Sequence, residues 1–325
     1  MYKRRLTTII CLLFILLTFG CNTNNSYFDI DKFSKATAYY DDKQYEKAFE
    51  LFYELAQKGN SKAQGHVGVQ YNEGQGVEKN AVKAVYWLEK AAENGETAAM
   101  ALLGSIYTVG TDIPKDCGKG LYWYNKGVDS GDSYSMYKLS AAYKVGVCVE
   151  KNINKSNDYL IKASSRPDKY GLLSKGIVLY EGLDGKTDYH QAKEIFEKID
   201  SFNDHFGSYF LSMMYLYGHG VKVDKEKSFN LLIRSSNLGN PLADYSIAVR
   251  YMRGKTVARD YKKTFYYAKK SERYVSASAY LLGLLYELGY GMPINIDMAK
   301  RWYRQAIARG NERAKNRLAA LNRTQ

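Results

Sequence analysis

One tyrosine recurs along the chain, at Tyr71, Tyr107, Tyr143, Tyr180, Tyr215, Tyr251 and Tyr286, at spacings of 35 to 37 residues. A glycine stands three residues after six of them: Gly74, Gly110, Gly146, Gly218, Gly254 and Gly289. In the fourth unit Gly182 stands two after. Eight residues before the tyrosine the position is small in six units (Ala63, Ala99, Ser135, Gly207, Ala243, Ser278), and the fourth has Leu172. Downstream, a small residue (Ala84, Gly120, Ser156, Ala192, Ser228, Thr264, Ala299) is followed three positions later by a large apolar one: Trp87, Trp123, Tyr159, Ile195, Leu231, Tyr267 and Trp302. All three tryptophans of the chain share that column. Apolar spacings of three and four describe a helical face, not a strand. Each unit therefore reads as two helices. The first ends near the tyrosine, where glycine supplies the backbone angles of a helix stop. The second carries the tryptophan column. The four prolines agree: Pro114 and Pro293 fall in inter-helix loops, and Pro167 and Pro241 fall between units.

A helix pair of this size cannot bury its own apolar face, so neighbouring pairs must stack. Burying one large column residue contributes about 1.5–3 kcal/mol. The expected fold is all-α, a right-handed α/α superhelical solenoid. Residues 60–310 hold seven repeats, 33–59 form an incomplete N-terminal capping repeat, and 311–325 form a C-terminal capping helix.

The N-terminus carries different information. Lys3, Arg4 and Arg5 precede an uncharged, mostly apolar run from Leu6 to Gly20. That run is short for a membrane span, which needs about 20 apolar residues, and has the form of a secretion signal. It ends Leu17-Thr18-Phe19-Gly20-Cys21, which resembles a bacterial lipoprotein box, although Thr18 and Phe19 depart from its preferred residues. The resemblance implies cleavage after residue 20, a lipid on Cys21 and a linker over 21–32. Asn22 implies sorting to the outer membrane, facing the periplasm or the cell surface. Removing Lys3, Arg4 and Arg5 takes the formal charge from +13 to +10. A basic exported chain suits an acidic protein partner or an anionic surface, and export makes nucleic acid an improbable partner. Residues 298–325 are strongly basic, which reads either as a solvated last helix or as an electrostatic patch. Cys117 and Cys148 fall in adjacent repeats, and an even pair in an oxidising compartment invites a disulfide.

The closest unit runs Ala63…Val67-Gly68…Tyr71…Gly74-Gln75-Gly76-Val77…Lys83-Ala84…Trp87…Lys90-Ala91-Ala92…Gly95. The last runs Leu282-Gly283…Tyr286…Gly289-Tyr290-Gly291-Met292…Ala299…Trp302-Tyr303. This pattern resembles the Sel-one-like repeats, relatives of tetratricopeptide repeats, over about three quarters of the chain. The fourth unit departs from it, with Ile177 in place of the glycine and Asp184-Gly185 in the loop. The resemblance implies a protein-binding scaffold. Exported relatives resemble host-interaction factors, envelope-assembly adaptors and immunity proteins against secreted phospholipase toxins. The leading expectation is a lipid-anchored adaptor. The alternatives are a periplasmic immunity protein that neutralises a secreted effector, and a surface factor binding host proteins.

In tetratricopeptide-like stacking, one face of each first helix lines a concave groove. Calling the column tyrosine t, that face holds t−9, t−6, t−2 and t+1. It supplies the candidate partner-binding residues Tyr134, Tyr137, Lys144, Phe206, Tyr209, Tyr245, Met252, Tyr280 and Glu287. Tyrosine offers large area and one hydroxyl with few rotors. The competing reading packs these rings between neighbouring repeats. Catalysis has no support. His66, His190, His205 and His219 have no metal-ligand spacing, and no nucleophile motif is visible. No cofactor, metal or small-molecule substrate is expected.

Overall fold

The computed structural model describes residues 29–110 and 112–323, and every regular element in them is a helix. The fold is an all-α repeat solenoid of helix pairs in two compact units, one ending at Ser130 and one beginning at Gly131. The first unit contains α1 (29–41), α2 (Tyr45–Gln57), α3 (Ser61–Glu73), α4 (Ala81–Glu93), α5 (Thr97–Val109) and α6 (Cys117–Asp129). The second contains α7 (Ser133–Val145), α8 (Ile153–Ser164), α9 (Lys169–Glu181), α10 (Tyr189–Ser201), α11 (His205–Tyr217), α12 (Lys225–Asn237), α13 (Pro241–Arg253), α14 (Tyr261–Ser271), α15 (Ser276–Leu288), α16 (Ile296–Ala308) and α17 (Glu312–Arg323). Residues 1–28, which include Cys21, lie outside the described residues.

Every first helix of the seven repeats stops at a left-handed glycine, with φ between 66 and 86°. The chain then turns back through one repeated device. Position t+9 is always Asn or Asp: Asn80, Asp116, Asn152, Asp188, Asp224, Asp260 and Asn295. Its backbone N–H donates to the carbonyl at t, at 2.9–3.1 Å. Its side-chain oxygen accepts the backbone N–H three residues on, at 2.8–3.0 Å, capping the second helix. Each such cap contributes about 1 kcal/mol.

This bond corrects the sequence reading in the fourth repeat. Asp188 donates to the carbonyl of Leu179, not of Tyr180. With Leu179 at t, the spacing is 36 on both sides and Gly182 stands three residues after. Gly171 then takes the small position given above to Leu172, and Gly176 takes the glycine position, so Ile177 displaces nothing. The backbone bond that sets the register makes no demand on the side chain at t. In five repeats a lysine at t+12 (Lys83, Lys119, Lys155, Lys227, Lys263) places its ammonium group 4.1–5.3 Å from the tyrosine ring at t. In the fourth and seventh repeats t+12 is Gln191 and Met298, with Leu179 and Tyr286 at t.

The second constraint is close approach at t−3. A Cβ on Gly68, Gly104, Gly176 or Gly283 would run into Leu88, Tyr124, Phe196 or Tyr303, each the residue after the tryptophan column. The last ring is fully buried, and its hydroxyl donates to Glu287. In the leading pair, α1 is held through aromatic contacts. Phe52 stacks on His66 at 4.2 Å, and Phe33 meets both at 5.4 and 5.7 Å. Burial holds the His66 imidazole below its ordinary pKa, against the opposing pull of Asp41 and Glu96.

Two outcomes follow. Gly283→Ala is expected to cost about 1–3 kcal/mol in urea unfolding through overpacking. Gly65→Ala, whose new Cβ meets only the Ala91 methyl at 4.0 Å, is expected to gain up to about 1 kcal/mol of helix propensity. Equal effects at both sites would refute the close-packing argument. Because the folded His66 pKa is depressed, its contribution to stability is complete above about pH 6.5, the unfolded value, and is lost as pH falls through the folded value. His66→Phe should flatten that acid limb of the thermal melting curve; an unchanged limb would assign it to other groups.

Candidate functional site

In the second unit, α13 and α15 form the floor of an open cleft of about 740 Å³. Tyr245, Val249 and Met252 come from α13, spaced four and three along one face, and Tyr280 and Leu284 come from α15. Val145 and Lys151, at the end of α7 and in the loop after it, contribute to one side, and residues 310–313 at the start of α17 to another. Tyr261 and Tyr290 also line the cleft, stacked at 4.7 Å and 13°. Gly291 permits that stack: it has φ 76°, and a Cβ on it would lie 2.7 Å from the Cβ of Tyr261. Gly220 stands in the same relation to Tyr189 two repeats earlier.

The charge around this cleft is one-sided. Lys151, Arg253, Arg259 and Arg313 all line it and are all exposed. Among the described residues none of the four forms an ion pair; Arg259 only lies over the Tyr261 ring at 6.0 Å. The one carboxylate in the lining, Glu312, is paired with Lys315 at 3.3 Å. Nearby cations outside the lining are paired: Arg309 with Glu272 at 3.5 Å, Arg317 with Glu287 at 3.3 Å, and Lys270 with Asp244 at 2.9 Å.

The candidate residues named from the sequence separate into groups. Tyr245, Met252 and Tyr280 line the cleft. Tyr134, Tyr137 and Phe206 instead cluster around Tyr170, with Tyr134–Tyr170 at 4.3 Å, Tyr137–Tyr170 at 5.9 Å and Tyr137–Phe206 at 5.7 Å. Burial pushes the Tyr137 and Tyr170 phenols well above the usual range. Burial also raises the Tyr209 phenol, while a hydrogen bond with Ser246 of the next repeat opposes the shift. Lys144 pairs with Glu181 at 3.0 Å, and Glu287 accepts from Tyr303 and pairs with Arg317. Cys117 opens α6, Cys148 follows α7 with φ 62°, and each is disulfide-bonded.

The corrected register explains the division. Tyr134, Tyr170 and Phe206 are the t−9 residues of three successive repeats, and Tyr170 and Phe206 pack against Tyr137, the t−6 tyrosine of the third. In the sixth and seventh repeats t−9 is Leu242 and Ala277, which leaves Tyr245 and Tyr280 open to the cleft. Counting from Tyr180 hides Tyr170 from this column. Sequence reasoning placed Arg313 in the basic run over 298–325 but missed Tyr261, Tyr290, Lys151, Arg253 and Arg259 as lining residues. Their signal was the Gly289-Tyr290-Gly291 turn and a basic residue eight after t, where Lys79, Lys115, Lys151 and Arg259 recur.

Chemically the cleft offers phenol rings and hydroxyls, a thioether, aliphatic surface and guanidinium groups. Tyrosine and arginine are the residue types that most often dominate protein-binding surfaces. Among the described residues no group of His, Cys, Asp and Glu could hold a metal, and no helix is long and apolar enough to cross a membrane.

The Sel1 repeat family model matches residues 39–60, 61–96, 97–132, 133–168, 172–199, 206–240, 241–272 and 276–311. No curated protein sequence matches the chain. Among solved structures the chain is similar to c5321, a protective antigen of uropathogenic Escherichia coli strains with an SLR fold, at 24% identity and TM-score 0.45 over 90% of this chain. It spans 64% of that protein's length. It is also similar to a Sel1 repeat protein from Oxalobacter formigenes (26% identity, 85% of this chain and 80% of that one, TM-score 0.45). A third similarity is to immunity protein Pa5087 from Pseudomonas aeruginosa (18% identity, 67% and 83%, TM-score 0.46). With eight matched segments covering most of its length, the chain belongs to the Sel1 repeat family.

Proposed function

We propose that this chain is an exported, lipid-anchored adaptor that holds a protein partner on the first-helix face of its second unit. Membership of the Sel1 repeat family supports a protein–protein interaction scaffold, and that family is generally non-enzymatic. The basic, apolar N-terminal run and Cys21 support export and a lipid tether at the outer membrane, facing the periplasm. The observation that carries the binding reading is the cleft itself. Tyr245, Met252 and Tyr280 converge on it from two adjacent first helices and line it half-buried, while Tyr137, their counterpart in the third repeat, packs against Tyr170 and Phe206. A recessed floor of this kind holds the central anchors of a partner away from water, where large contact residues contribute most of the affinity. The tether adds effective concentration at the membrane surface without a further contact.

The anchor and the cleft are tested separately. Cys21→Ser is expected to abolish palmitate labelling and move the chain from the membrane to the soluble fraction; label retained in that variant removes the anchor. For the cleft, a photo-crosslinking residue placed at Met252 should capture one discrete partner in cells, and one at exposed Lys198 of α10 should not. Adding Tyr245→Ala and Tyr280→Ala should reduce capture at least about tenfold, as removal of two anchor rings predicts. Undiminished capture by a folded double variant would rule the cleft out.

A further inference from the structure

We infer that the cleft takes an acidic segment of its protein partner, one that sets carboxylates against Arg253, Arg259, Arg313 and Lys151 and lays apolar side chains on Tyr245 and Tyr280. The inference rests on the cleft being the partner-binding site and names the chemistry of what enters it.

Two repeat positions pair in the first unit, though Lys151 and Asp184, which occupy them in the third and fourth repeats, form no ion pair among the described residues. In the first unit Lys79, eight residues after t, meets Asp112 at 3.0 Å, the residue five after t in the next repeat. In the sixth repeat the equivalent cation is Arg259, and the matching position in the next repeat is Gly291. The carboxylate is replaced by a residue without a side chain, and the guanidinium is left beside the cleft. Arg313 repeats the theme at α17. It stands in the first turn of that helix, where the amide dipoles already make the potential positive and a cation is locally unfavourable. Glu312, on the same turn, is engaged by Lys315. Arg253 ends α13 with no carboxylate partner among the described residues. Thus four cations from three segments surround one apolar floor, and among the described residues none of the four forms an ion pair.

The shape selects peptide over other anions. A lipid surface is a plane and does not reach a recessed floor. An anionic glycan could meet the guanidinium groups but carries nothing to cover Met252 and Leu284. A polypeptide supplies both carboxylates and apolar side chains within a few residues, and the cleft of about 740 Å³ is open, so a segment can enter and leave it along the chain.

The test uses the purified full chain in detergent and a fluorescein-labelled decapeptide of alternating glutamate and leucine, followed by anisotropy. A decapeptide with glutamine for glutamate is the control. The acidic peptide is expected to bind at least about tenfold tighter than the control, and to weaken about tenfold when NaCl rises from about 0.05 to about 0.5 M. The double variant Arg253→Gln/Arg313→Gln, with unchanged circular dichroism and melting temperature, should lose most of that preference. Tyr245→Ala/Tyr280→Ala should weaken both peptides. Equal binding of the two peptides, indifference to the arginine variant, or stronger competition by heparin hexasaccharide or dihexanoylphosphatidylglycerol than by unlabelled acidic peptide would overturn the inference. Failure of both peptides to bind also overturns it, while photo-capture at Met252 reports independently on the cleft as a partner site.

Discussion

The bond between the Asn or Asp at t+9 and the carbonyl at t is what the rest of each repeat depends on. Helices of 13 residues are too short to be stable alone, and each leaves four amides and four carbonyls without partners at its ends. A protein made of many short helices therefore has an unusually large number of ends to satisfy. One residue per repeat handles two of them: its backbone ties the return of the chain to the end of the first helix, and its side chain starts the second. In five repeats the lysine at t+12 is then one turn into the second helix, in reach of the tyrosine ring at t. The turn within each pair is thus held by local contacts.

How far the sequence was legible follows from which residues are fixed by chemistry and which by fit. The tryptophan column, the glycine stops and the helix pairs all follow from periodicity, because burial of one face per helix imposes it. The fourth repeat misled because aromatic identity at Tyr180 was taken as the marker of register. The backbone bond is indifferent to the side chain at t, so leucine serves there, and the tyrosine one residue on faces elsewhere and hydrogen-bonds with Nδ1 of His219 at 2.8 Å. The Asn/Asp column was in plain view and carries the register without exception. It marks a backbone requirement, which a search for hydrophobic period does not detect.

The candidate binding face shows the same limit in another form. Helical geometry places Tyr137, Tyr209, Tyr245 and Tyr280 in one column, and it cannot say which are covered. That depends on residues three positions earlier along the same face. Where these are Tyr134, Tyr170 and Phe206, rings of successive repeats pack together, and burial raises the Tyr137 and Tyr170 phenols. Where they are Leu242 and Ala277, the tyrosines line the cleft half-buried. One column thus packs repeat against repeat early in the second unit and lines the proposed binding cleft late in it.

The placement of charge then follows from what solvent does to ion pairs. Exposed pairs contribute little to stability, with a median near 0–1 kcal/mol, so Arg253, Arg259 and Arg313 sacrifice little folding energy by lacking partners within the chain. The same groups act differently once a partner excludes water from the cleft. Attraction strengthens as the dielectric falls, and a segment that brings no acid strands guanidinium groups beside an apolar floor. Affinity would come chiefly from the rings and aliphatic surface of α13 and α15, and discrimination from the cations around them. A rim left uncompensated in the free protein is therefore consistent with a stable fold, and the selectivity proposed for it would be expressed only on binding.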